Sequence, residues 1–173
     1  LQSPSDEFVK IADNDRGFHD SGELVDANKI MSLYNPKVLR IDDANMYADK
    51  YNTLAAFYPR AYTRPKNTLM QFRKVRDSYQ LMEDTGKSYD MVINTRPDIV
   101  LENPLPMLNT NIVYTLPSRN KMNRGTGDSL FISNMGNVHI FKDIHDNIPN
   151  IYKEIGVSCP HEYVAYSIKK FNP

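Results

Sequence analysis

Between Asn67 and Pro106 the hydrophobic period changes once, and that change limits what the chain can fold into. Leu69, Phe72, Val75, Tyr79 and Met82 recur at three- and four-residue intervals, the spacing of a helix with one apolar face. The pattern predicts an amphipathic helix over Asn67–Asp84, with Arg73, Lys74, Arg76 and Asp77 on its polar side and Thr85-Gly86 as its end. Tyr89, Met91, Val92 and Ile93 then form a short run of strand formers. It stops at Thr95-Arg96-Pro97-Asp98, where Pro97 cannot donate to a ladder and biases Arg96 toward an extended conformation. A second apolar run, Ile99-Val100-Leu101, follows, and Pro104 and Pro106 close the unit. A helix feeding a buried central strand predicts an α/β layer fold, with an arginine and a carboxylate at the strand's C-terminal end. That edge is where open α/β sheets bind ligands. A plain strand-end turn with a surface Arg–Asp pair satisfies the same spacing.

The flanking segments extend the alternation. EFVKIA (7–12) reads as a strand, 13–22 as a loop, and Asp26 as the N-cap of a helix through Tyr34 that stops at Pro36. Val38, Leu39 and Ile41 read as a further strand, and Thr53–Tyr58 as a short helix in an irregular region. Beyond Pro106, strands are expected at 112–116 and 130–132, and Asn134 is expected to cap a helix through Ile144. Pro149 is expected to open a helix ending at Gly156. Pro160 would open a last one, with Tyr163, Val164, Ile168 and Phe171 on or near one face. At 173 residues, with no evident linker or repeat, the chain reads as one domain.

Charge excludes more than it selects. Lys+Arg and Asp+Glu are equal at 21 each, so no global field points to nucleic acid. A nucleic-acid face would have to be assembled locally from Arg60, Arg64, Arg73 and Arg76. No apolar run approaches the ~20 residues of a membrane span. The single cysteine, Cys159, rules out an internal disulfide and fits a reducing compartment. The chain opens on Leu1 rather than Met, consistent with a trimmed or processed N-terminus.

Three features suit a site for a nucleotide diphosphate and a sugar. Asp98 at the strand end offers a hard oxygen ligand for Mg²⁺ or Mn²⁺. Arg96, with Arg119, Lys121 and Arg124 in a glycine-bearing loop, offers positive charge for phosphates. Asp128 leads into a strand, placed to orient a hydroxyl or act as a base. Each has a plainer reading: a turn-forming Asp, a solvated basic loop, and an Asp bonded to nearby backbone amides. His139 and His145, six apart, share no helix face, and His161-Glu162 reads as a cap or a solvated pair.

With those residues in view, the chain resembles a family of glycosyltransferase-like proteins of the type A (nucleotide-diphospho-sugar transferase) fold, found in bacteria and large DNA viruses. The resemblance rests on a helix carrying Gln71, on YDMVINTRPDIVLENPLP, on VDANKIMSLYNPKVLRID, on GTGDSLFISN and on HEYVAYSI. It implies a three-layer α/β architecture, a mixed sheet flanked by helices. The usual first strand would lie upstream of Leu1 or be missing, since EFVKIA looks like the second. It implies a nucleotide-sugar donor contacted by Thr95, Arg96, Asp98, Gln71 and Arg124, Mn²⁺ or Mg²⁺ on Asp98, and Asp128 as the catalytic carboxylate. It further implies a glycan or glycoprotein acceptor and a cytoplasmic location, the host's for a viral protein. Most such enzymes carry Asp-x-Asp where this chain has Arg96-Pro97-Asp98. Arg96 could then supply charge that a cation otherwise would. A non-catalytic module keeping the same fold is the alternative.

Overall fold

The computed structural model describes residues 26–42, 44–58, 65–96, 105, 108–109, 111–117 and 126–171. The chain divides into two compact units, Leu1–Thr53 and Leu54–Pro173. The expected strand at 7–12 and the apolar run at 99–101 lie outside the described residues.

In the first unit, Asp26 caps α1 (Ala27–Tyr34) by accepting hydrogen bonds from the Asn28 and Lys29 amides at 2.8 and 3.3 Å. These satisfy amide donors that the first helical turn leaves open. Asn35 ends the helix in the left-handed region, at φ 41°, with its N–H on the Met31 carbonyl. The strand expected at Val38–Ile41 does not form. Val38 and Ile41 are 43% and 48% exposed and belong to no strand. Strand propensity reflects fit to a half-buried pleated surface, and these two side chains have none. The helix expected over 53–58 forms earlier, as a 3₁₀ turn (Ala44–Tyr47) leading into α2 (Ala48–Ala55).

The second unit is mixed α/β. α3 (Pro65–Glu83) starts on a proline, whose missing N–H costs nothing at a first helical position. It buries Thr68, Leu69, Phe72, Arg73, Val75 and Tyr79, and the chain leaves it through Gly86 at φ 65°. Three antiparallel strands follow, β1 (Val92–Thr95), β2 (Tyr114–Pro117) and β3 (Thr126–Ser133), in the order β1-β3-β2. A mixed sheet with a buried central strand at 89–93 was expected. Instead, among the described strands β1 lies at the edge, begins later, and buries only Val92, while Tyr89, Met91 and Ile93 are exposed. β3 is the central strand. Leu130, Phe131, Ile132 and Ser133 are all buried, so both of its faces are covered. Apolar content alone marked the wrong strand, because it cannot say which strand has neighbours on both sides.

After β3, Asn134 accepts from the Asn137 amide and caps a 3₁₀ turn, Met135–Asn137, that precedes α4 (His139–Lys142). α5 (Ile144–Ile155) and α6 (Pro160–Phe171) complete the unit. Pro149 lies inside α5 rather than opening it. Gly156 closes that helix at φ 72°, as its position suggested. α6 begins at Pro160 as expected, though Phe171 is 45% exposed and the buried residues along it are Pro160, Tyr163, Val164 and Ser167. Phe131 and Phe141 stack at 4.3 Å and Phe72 meets Tyr163 at 6.1 Å, which joins β3, α4, α3 and α6 in one core. Arg73 and Arg76 form no basic face. Arg73 is 3% exposed beside Asp77, and Arg76 bonds Asp77 and Asp146 across α3 and α5.

Candidate functional site

The site grows from the irregular start of β3. Thr115 of β2 pairs with Phe131, yet Pro117, two residues on, pairs with Thr126, five residues back. The register shift breaks the alternation of the pleat, the local device that re-aims a side chain. Gly127 makes it possible. A Cβ there would sit 2.5 Å from the Leu116 carbonyl oxygen, so only glycine lets β2 pass this close.

Asp128 follows at once and receives side chains from two directions. Gln71 Nε2, from α3, donates to Asp128 Oδ2 at 2.9 Å and to the Asp128 carbonyl oxygen at 3.3 Å. Ser129 Oγ donates to Oδ1 at 3.3 Å. Among the described residues the carboxylate's partners are side chains, the Gln71 amide and the Ser129 hydroxyl. From the first turn of α6, His161 Nδ1 lies 2.8 Å from the Thr126 carbonyl and 3.8 Å from Asp128 Oδ1. The Asp128 and His161 side chains are 14% and 24% exposed. Elements from both ends of the unit thus converge on one partly buried carboxylate.

Thr95 pairs with Leu130 across the sheet, and the Arg96 amide donates to the Ser129 carbonyl at 3.3 Å. The end of β1 therefore runs beside the residue that follows Asp128. Asp98 and Arg124, expected to contact metal and diphosphate, lie outside the described residues. Gln71 and Asp128 are brought into direct contact, with Thr95 and Arg96 alongside. Among the described residues no group of three or more His, Cys, Asp or Glu side chains is placed to hold a metal.

No family model, curated protein or solved structure matches this chain. The site is therefore read from its own geometry.

His161 is the member that sequence reasoning missed. The sequence set it at the head of the HEYVAYSI segment and one residue past the proline that opens a helix, a place that reads equally as a solvated first turn. Cys159 caps the same helix, its carbonyl accepting the Tyr163 amide at 3.1 Å, and its thiol is fully buried. Burial raises that thiol's pKa despite donation from the His161 and Glu162 amides, which makes it a poor nucleophile. A separate hollow of about 60 Å³ lies between α5 and α6, lined in part by Ile144, Asn147, Tyr166 and Lys170. Ligand sites for molecules of nucleotide size run to roughly 300–1,000 Å³, so this hollow does not compete.

Proposed function

We propose that this chain is a glycosyltransferase-like domain of the type A nucleotide-diphospho-sugar transferase fold, moving a sugar from a nucleotide donor to a glycan or glycoprotein acceptor. The single observation that carries the reading is the contact between Gln71 and Asp128. Each was singled out from a different motif, and an amide–carboxylate hydrogen bond now joins them. In this reading the Asp128 carboxylate, held by the Gln71 amide, fixes a sugar or acceptor hydroxyl. Arg96 and Arg124 balance the diphosphate charge, Thr95 lines the donor's path, and Asp98 is the metal or donor contact. Preorganised charge facing the leaving diphosphate would be the main rate term.

Titration calorimetry against UDP- and GDP-sugars, with and without Mn²⁺, tests it. At least one donor is expected to bind in the millimolar range or tighter, and silence across the panel would end the reading.

A non-catalytic module is the second reading. It is favoured by one specific fact: both Asp128 carboxylate oxygens already accept hydrogen bonds from within the chain. Asp128→Asn separates the two. A catalytic role predicts lost turnover in a folded protein, whereas a structural role predicts a lowered melting temperature with no turnover to lose.

A further inference from the structure

We propose that His161 is the proton acceptor of this site, and that Asp128 serves it as counter-charge rather than as the base. The inference rests on the glycosyl-transfer reading and deepens it by naming the group that activates the acceptor. A carbonyl oxygen can only accept, so at 2.8 Å from the Thr126 carbonyl His161 Nδ1 must carry the proton. In the neutral ring that leaves Nε2 as the unprotonated nitrogen, the one that can accept a proton. Asp128 Oδ1, 3.8 Å from Nδ1, then lies beside the ring as a counter-charge for the imidazolium that would form, while the Nδ1 proton itself stays hydrogen-bonded to the Thr126 carbonyl. Asp128 is less suited to take a proton itself, since Gln71 and Ser129 already occupy its two oxygens.

The step balances. Nε2 takes the proton of the acceptor hydroxyl as that oxygen bonds to the anomeric carbon. The bond from that carbon to the donor's phosphate oxygen breaks, and the nucleoside diphosphate leaves with the electron pair. The imidazolium afterwards gives its proton to water.

The test uses the full chain and two measurements. First, ¹⁵N imidazole NMR reads the tautomer, with the His161 signal identified by its loss in His161→Gln. A proton on Nδ1 in the neutral ring is expected, and a proton on Nε2 overturns the proposal. Second, UDP-glucose, UDP-N-acetylglucosamine and GDP-mannose are followed for binding and for diphosphate release, in the parent and in His161→Asn. The Asn amide keeps a donor for Thr126 but offers no base. Unchanged donor affinity with release slowed about 100-fold, the low end of what a general base supplies, supports the role. Release within a few-fold of the parent overturns it while leaving glycosyl transfer intact. A parent that neither binds nor cleaves any donor removes the glycosyl-transfer reading, and the base role falls with it.

Discussion

Gln71 Nε2 stands 2.9 Å from Asp128 Oδ2, a hydrogen bond that spans 57 positions of sequence and fastens α3 to the first residues of β3. Gln71→Ala leaves that oxygen of a mostly buried carboxylate without its donor. A loss of about 1.5–3 kcal/mol is expected, the range for hydrogen bonds to charged groups, measured by urea denaturation. Gln71→Glu faces one carboxylate with another. Its deficit should be largest near neutrality and shrink toward about pH 5 as one of the two takes a proton.

Gly127→Ala tests the close passage of β2. The added methyl carbon would meet the Leu116 carbonyl oxygen at 2.5 Å, and backbone cannot swing aside as a flexible side chain can. A cost of about 1–3 kcal/mol is expected, as for overpacking elsewhere. Faster amide exchange along β2 and at Asp128 should accompany it.

The contact of α3 with α5 should make stability depend on pH. Burial is the largest influence on His145 and lowers its pKa. The Arg76 guanidinium reinforces this, and the Asp146 carboxylate opposes it without prevailing. The folded ring therefore resists a proton that the unfolded chain accepts from about pH 6.5 downward. The unfolded state binds more protons there, so stability falls as pH drops below that value. For Asp146, burial would raise the pKa, but hydrogen bonds from His145 and Arg76 outweigh it and the net direction is down. Its stabilising share is present above its ordinary carboxylate value and disappears as pH falls through the lower folded one. Melting temperature against pH should show both limbs. His145→Asn should flatten the upper one, and an unchanged upper limb in that variant would refute the assignment.

Phe141→Ala removes a fully buried ring stacked on Phe131 and should cost about 3–5 kcal/mol. Leu33→Ser, on a residue of α1 that is 65% exposed, should stay within about 0.5 kcal/mol. Comparing the two in urea separates burial from mere hydrophobicity.

Local rules carried the reading where the residues concerned act on their own backbone. Asp26 capping α1, Pro160 opening a helix, and Gly86 and Gly156 closing helices are decided within a few residues. Strands were less legible. Val38–Ile41 has strand-forming side chains but no ladder, and β1 looked central because it is apolar, although β3 is the central one of the three described strands. Of the site, Gln71 and Asp128 could be named from their motifs. Their contact, and the arrival of His161, depend on how α3 and α6 pack against β3, which no short-range pattern encodes. Pro149 erred the other way, since an exposed proline within α5 gave up one backbone bond rather than a whole helix start.

The cap of α6 gives the chain a built-in clock. Cys159 is its only thiol, fully enclosed, two residues from His161. Under native conditions an alkylating reagent can reach it only when the helix end lifts, so the rate of labelling counts those openings one residue at a time. Anything that settles against the imidazole should slow the count, and it would do so without a need to know in advance what that visitor is.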